Sequence, residues 1–280
     1  MPELSLPQGT IRYREDGSGP PIVFVHGALV DGRLWEPVVA RLRDRFRCIV
    51  PDLPLGSHEV PLREDADLSP QGLAAIVAGV LDALALDDVT LVGNDTGGGL
   101  CQLVAVDHPE RVGRLVLTDC DAFENFPPKA FRPLVAAAKA PGALRALLVS
   151  MRVPAARRLP LAYGWLLKRP IPRDVMDGWT LRALDDPGVM RDLRKALSGL
   201  KPTTLTDNTP KLVDFEKPVL LAWAREDKFF PVEHAHRLAA IFPDARVEEI
   251  ADSYTFVSWD QPDRVAELVG AFAPQPVGAA

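Results

Sequence analysis

Val89-Thr90-Leu91-Val92-Gly93-Asn94-Asp95-Thr96-Gly97-Gly98-Gly99 is the stretch whose reading decides the fold of this chain. Its first half is a short apolar run rich in β-branched residues, the pattern of a strand buried on both faces of a parallel sheet. Its second half is glycine-rich and leads into a helical pattern from about Gly98 to His108, so a single tight turn joins strand to helix. The same rhythm extends in both directions. Pro21–His26 is an apolar run ending at Gly27, Leu34–Leu42 has helical spacing, and Arg47–Val50 before Pro51-Asp52 reads as another strand. Ser69-Pro70 opens a helix with a side-chain cap and a first-turn proline, and the pattern holds to about Leu86. Arg114–Thr118 is a further strand. From Asp121 to Val213 the segment is helical and proline-punctuated, with no strand pattern. Pro218–Trp223, a helix after Pro231, a strand at Arg246–Ile250 and a helix at Pro262–Phe272 then resume the alternation. The pieces flanking the insertion complete one sheet. The expectation is an α/β protein with a mostly parallel central sheet flanked by helices. Residues 1–120 and 214–280 form its core and 121–213 a helical insertion, with Met1–Gln8 and Pro274–Ala280 as loose tails.

Composition narrows the classes. The chain has 280 residues, enough for one large α/β domain with an insertion. Its 47% hydrophobic and 25% charged residues exclude a disordered chain. No apolar run is long enough to span a bilayer, and Met1-Pro2-Glu3-Leu4-Ser5 lacks the basic and apolar regions of a secretory signal, so a cytoplasmic protein is expected. Cys48, Cys101 and Cys120 are too few and too scattered for a disulfide framework or metal cluster. Charge is uneven. Between Lys129 and Lys201, 15 Lys/Arg face 5 Asp/Glu, a local net of +10 that leaves −16 for the rest of a chain whose total is −6. Either this is a solvated basic face or it steers anionic substrates. No nucleic-acid-binding module accompanies it. No phosphate-cradling loop with a lysine and no metal-ligand spacing is present, so no cofactor is expected. The expected partner is a small-molecule substrate, with no nucleic acid, no membrane and at most a second copy of the chain.

The turn at Gly93-Asn94-Asp95-Thr96-Gly97 has the small-X-nucleophile-X-small spacing of a nucleophile elbow. A residue at its apex adopts positive φ, which Asp tolerates better than most side chains. Flanking glycines let the helix approach the sheet. The helix N-terminus faces the site, and the Thr96 amide points at a developing oxyanion. A serine there attacks an acyl carbonyl. A carboxylate attacks an sp³ carbon instead, opening an epoxide or displacing a halide to give an enzyme ester.

With these motifs the chain resembles the α/β-hydrolase superfamily over about residues 10–272, and Asp95 looks like the nucleophile of its epoxide hydrolase and haloalkane dehalogenase branch. The resemblance implies a helical cap over residues 121–213. It makes His26-Gly27-Ala28-Leu29 the oxyanion loop, with the Ala28 and Thr96 amides as donors and His26 structural. His108, before Pro109, also matches a structural position. Asp227, after the strand ending at Trp223, matches the acid that orients a histidine, with Asp119 or Asp121 at the alternative acid position and Glu226 one residue off. The histidine itself is missing. Ile250-Ala251-Asp252-Ser253-Tyr254-Thr255-Phe256, then Asp260-Gln261-Pro262, puts Thr255 where that base belongs. Thr255 cannot accept a proton near neutral pH, so the ester would form while its hydrolysis needs another group. His58, His234 and His236 are remote alternatives. Thr96 and Ala28 also stand where haloalkane dehalogenases carry a halide-binding Trp and Asn, which disfavours haloalkanes. Epoxide hydrolases protonate the ring oxygen with cap tyrosines, and Tyr163 is the only one here. Tyr163, Trp165, Trp179, Phe123, Phe126 and Phe131 are the candidates for lining a substrate pocket.

Three functions fit this reading. One is epoxide-hydrolase-like hydrolysis through an Asp95 ester. Another is a lyase or isomerase using Asp95 as general base. The third is a ligand-binding protein that retained the fold. Thr255→His separates the first two: if an ester forms, turnover on an epoxide panel rises by about 10²–10⁴, and if Asp95 is itself the base, kcat does not change.

Overall fold

The computed structural model of the protein describes residues 1–275. Eight strands make one sheet: β1 (Glu3–Leu6), β2 (Gly9–Asp16), β3 (Pro21–Val25), β4 (Arg47–Pro51), β5 (Val89–Asp95), β6 (Val112–Cys120), β7 (Val219–Ala224) and β8 (Ala245–Ile250). Their spatial order is β1-β2-β4-β3-β5-β6-β7-β8. β1 pairs antiparallel with β2, and β2 with β4; every other pairing is parallel. The expectation of a loose Met1–Gln8 tail is therefore corrected. Leu4 and Leu6 pack on the core, and the short alternating run Glu3–Leu6 folds back on β2, an antiparallel edge that a search for buried parallel strands overlooks. Of the second expected tail, residues 276–280 lie outside the described residues.

Alternation along the strands divides the core into two layers. Val23 and Val25 of β3 face one side, Ile22 and Phe24 the other. The first layer packs beneath α2 (Pro70–Ala83), α3 (Thr96–Asp107) and α9 (Val232–Ala239). The second packs beneath α1 (Glu36–Leu42) and α11 (Pro262–Phe272). α2 begins as its sequence implies, with the Ser69 hydroxyl accepting from the Gly72 N–H at 3.2 Å and Pro70 in the first turn.

Between β6 and β7 the described chain makes only helices and single turns: α4 (Arg132–Lys139), α5 (Ala143–Val149), α6 (Arg173–Asp185), α7 (Pro187–Gly199) and α8 (Pro202–Asn208). Named polar contacts hold this insertion to the sheet. Trp179 Nε1 donates to Asp31 Oδ1 at 3.0 Å, while the Arg33 guanidinium grips Asp31 and reaches the Asp174 carbonyl at 3.3 Å. The Phe256 N–H donates to the Leu166 carbonyl at 2.7 Å.

The tightest clasp is Asp260, buried in α10 (Val257–Asp260). Its carboxylate accepts from the backbone N–H groups of Lys168 (2.9 Å), Arg169 (2.9 Å) and Tyr254 (3.0 Å) and from the Ser253 hydroxyl at 3.3 Å. One side chain thus ties the insertion to the loop after β8. Asp260→Ala leaves those buried donors unpaired and is expected to lower unfolding free energy by about 2–4 kcal/mol, measured by urea denaturation.

Candidate active site

Asp95 occupies the apex between β5 and α3 with φ 54° and ψ −132°. Such a turn requires close approach on both sides. A Cβ on Gly97 would lie 2.5 Å from the carbonyl oxygens of Val25 and His26, and one on Gly93 would lie 2.7 Å from Cys101 Sγ and from the Gly98 backbone. The glycines are therefore needed for β3, β5 and α3 to meet at this point. The Asp95 carboxylate accepts hydrogen bonds from the backbone N–H groups of Thr96 and Ala28. His26, just after β3 and two residues before Ala28, is wholly buried. Its Nδ1 donates to the Gly27 carbonyl at 2.9 Å and its Nε2 accepts from the Leu53 N–H at 2.9 Å. Both ring nitrogens are thereby committed to backbone, and burial lowers its pKa to about 4.

A cavity of about 330 Å³ opens above Asp95. Ala28, Thr96, Asp121 and Tyr163 share its wall with Phe131, and most of the rest is proline and leucine, including Pro127, Leu148 and Leu161. Among the described residues, neither lysine, arginine nor histidine lines it. The basic charge of the insertion is directed outward, much of it paired: Arg152 with Asp185, Arg182 with Glu59, Lys168 with Glu226, Arg169 with Asp252.

Four aspartates converge around this point. Burial raises the Asp95 pKa to about 7, the amides of Thr96 and Ala28 acting against it and the charge of Asp227 with it. Burial also raises Asp227 to about 6. Asp227 Oδ1 accepts from the N–H groups of Phe229 (2.6 Å) and Phe230 (2.7 Å), so it also closes the turn after β7. Asp119 accepts from the Ala224 N–H at 2.8 Å; burial and the Asp227 charge push it well above the carboxylate range. Asp121 is raised in the same way by burial and then by Asp95.

Strand register separates the last two. Asn94 pairs with Thr118 but Asp95 with Cys120, so Asp119 is an extra residue, a bulge with φ 27°. A bulge changes the facing of the residues beyond it. Asp119 consequently meets β7 and Asp121 reaches the cavity.

The match to a family model described as the alpha/beta hydrolase fold spans residues 20–262. The chain belongs to the α/β-hydrolase fold family. Among its relatives, haloalkane dehalogenase 2 of Mycobacterium tuberculosis is 29% identical over 274 residues, covering 94% of this chain and 91% of that one. A 2-hydroxy-6-oxo-6-phenylhexa-2,4-dienoate hydrolase of Burkholderia cepacia is 26% identical over 281 residues, covering 95% and 92%. Among solved structures, a haloalkane dehalogenase from Bradyrhizobium elkani superposes with a TM-score of 0.77 at 20% identity, covering 96% of each chain. These relatives are named as hydrolases, and no helix among the described residues of this chain is long and apolar enough to cross a membrane.

Within this α/β-hydrolase frame the expected site residues fall into two groups. Asp95, Ala28, Thr96, Tyr163 and Phe131 line the cavity. Asp227 and Thr255 stand next to one another behind it, Thr255 buried and Asp227 half-buried with its Oδ2 inside, and neither Asp227 Oδ2 nor Thr255 Oγ1 has a hydrogen-bond partner among the described residues. The four other aromatics lie elsewhere, correcting the expectation that they line the pocket. Trp179 is buried in the contact with Asp31, and Phe126 is buried beside Gly99. Phe123 carries the Arg237 guanidinium 3.8 Å from its ring centroid, and Trp165 is 43% exposed against Phe229. Helical leucines and prolines line the wall because an insertion that must bury its apolar stripes offers them downward; aromatic content was the wrong signal. The remaining histidines stand away from the cavity, His58 against Asp192, His234 against Phe123, and His236 against Glu249. Asn94, a variable position in the elbow spacing, gives no sign of its part in the sequence alone. Its Nδ2 donates to the Thr118 and Thr255 carbonyls at 3.1 and 2.8 Å, tying the loop of Thr255 to β6.

The raised Asp95 pKa has a stability consequence. A carboxyl whose folded pKa exceeds its unfolded value binds more protons when folded, so its contribution is full at low pH and is lost as pH rises through about 7. Asp95→Asn is expected to match the wild type at about pH 4 and to exceed it by roughly 2–4 kcal/mol at pH 8, in urea melts across that range.

Proposed function

We propose that this chain is a hydrolase that opens a small apolar epoxide through an ester on Asp95. The observation that carries this reading is the Asp95 carboxylate, held in a positive-φ turn by the Thr96 and Ala28 amides on the floor of an apolar cavity. A carboxylate in that position has no acyl chemistry of its own but is a competent nucleophile toward carbon. The two amides hold one of its oxygens and take up the negative charge when water later adds to the ester carbon. The named relatives act as haloalkane dehalogenase and dienoate hydrolase. Neither Thr96 nor Ala28 brings an indole or side-chain amide to a departing halide, so the reading favours a leaving oxygen that stays in the product. Apolar walls select a substrate with a short hydrocarbon body.

Another reading has one observation in its favour. An Asp95 pKa of about 7 also suits a general base acting on water or on a carbon acid.

A single turnover of 1,2-epoxyhexane in H₂¹⁸O tells the two apart. An ester on Asp95 puts the first ¹⁸O in the Asp95 peptide, seen by mass spectrometry, and leaves the first diol unlabelled. General-base attack by water labels the first diol and leaves the peptide unlabelled, and that result overturns the ester reading. Asp95→Asn is expected to lower turnover by at least about 10³.

A further inference from the structure

The cavity floor carries two carboxyl groups, and the ester reading uses only one. Asp121 is 1% exposed and lines the same cavity as Asp95, and its Oδ1 has no hydrogen-bond partner among the described residues. Its other contact is the Thr96 hydroxyl. Its backbone is held on both sides, the N–H donating to the Asp95 carbonyl at 3.4 Å and the carbonyl accepting from Gln102 Nε2 at 2.8 Å. A carboxyl buried with a free oxygen beside an apolar space is costly as packing. Its position fits a group that must meet a ligand.

The neighbouring groups assign its protonation. The titratable side chains around it are Asp95 at the end of β5, Cys120 beside it and Tyr163 in the cavity wall. No cation lines the cavity, and two carboxyls sharing a low-dielectric space do not both ionise. Asp95 has two amides to hold a charge and Asp121 only a hydroxyl, so the negative charge stays on Asp95 and the proton on Asp121. Tyr163, the residue the sequence offers as proton donor, has its hydroxyl committed: it donates to the Leu29 carbonyl at 2.6 Å. Burial also pushes its pKa upward.

We propose that Asp121 is a second catalytic residue, which gives a proton to the leaving oxygen and then takes one from the hydrolytic water, the work otherwise left to an absent histidine. The proposal rests on Asp95 forming the ester. In the first step an Asp95 oxygen bonds to a ring carbon, that carbon–oxygen bond of the epoxide breaks, and the Asp121 proton moves to the ring oxygen. The products are a neutral hydroxyalkyl ester and an Asp121 carboxylate. Esterification removes the neighbouring charge, so Asp121 is now free to stay ionised. In the second step water adds to Asp95 Cγ while Asp121 takes its proton, and the Ala28 and Thr96 amides hold the oxyanion. Collapse breaks the bond from Cγ to the alkyl oxygen, which takes the proton from Asp121 and leaves as the diol. Asp95, left as a carboxylic acid, passes its proton to Asp121, and the starting state returns.

The test compares wild type, Asp121→Asn and Asp121→Glu with 1,2-epoxyhexane and with 1-bromohexane, whose bromide departs without a proton. Asp121→Asn is expected to lose about 10²–10⁴ in epoxide turnover. It should still be alkylated on Asp95 by the bromide and hold that ester, seen as a stable mass adduct. Wild type should clear the adduct at a rate that falls as pH is lowered. Asp121→Glu should restore part of the clearance and its pH dependence, which no merely structural role predicts. Clearance by Asp121→Asn at the wild-type rate overturns the Asp121 assignment and leaves the Asp95 ester standing. A diol labelled in the first turnover in H₂¹⁸O, with no Asp95 adduct in any variant, overturns both.

Discussion

The close approach of β3, β5 and α3 at the Asp95 turn is the contact on which the rest of the site depends. The Gly97 Cα lies against the carbonyls that end β3, and Gly93 lies against Cys101 and Gly98. Any side chain at these positions would push the helix off the sheet, and the amide of Thr96 would no longer point at Asp95. The Ala28 amide arrives from the other direction, on the loop that His26 pins by bonding Gly27 and Leu53. Two strand ends and one helix N-terminus thus converge on one carboxylate. The positive φ of Asp95 is the local cost, small against the packing that enforces it.

Around that point the protein concentrates negative charge without a cation to balance it. Asp121 interacts with Asp95, Asp95 with Asp227 and Asp227 with Asp119, and burial raises all four. Backbone amides make a charge tolerable on Asp95 and Asp227, while burial favours the protonated form of Asp119 and Asp121. Coupled carboxyls in an apolar space are poised to move protons, since each change of charge on one shifts its neighbour. That is the physical link between an unfavourable cluster and the chemistry proposed for it.

The helical insertion contributes walls rather than reacting groups. Its contacts with the sheet are polar and specific, through Asp31, Arg33 and Asp260, whereas its cavity face is leucine and proline. Apolar walls of this kind lower the local dielectric and strengthen the electrostatic effects beside them. The insertion also leaves its opposite, basic face to the solvent.

The architecture and the tight turn at Asp95 were legible in the chain. Continuous apolar runs alternating with helical periods imply a parallel sheet, and glycines at fixed offsets around Asp95 let helix and sheet approach, so β3 through α3 come from residue type and spacing, whereas the role of the Ala28 loop comes only from the family resemblance. That no histidine follows His236 was equally plain, because absence from a sequence needs no geometry. What the sequence alone could not decide is which side chains face one another across elements far apart in the chain. Asp119 and Asp121 were interchangeable until a bulge of one residue sent the first to β7 and the second to the cavity. Tyr163 was an apparent acid until its hydroxyl met the Leu29 carbonyl, and Trp179 a pocket residue until it met Asp31. The physical reason is common to all of these. Periodicity records which face of its own element a residue occupies, but the partner that fixes its role comes from another element, and only tertiary packing brings the two together.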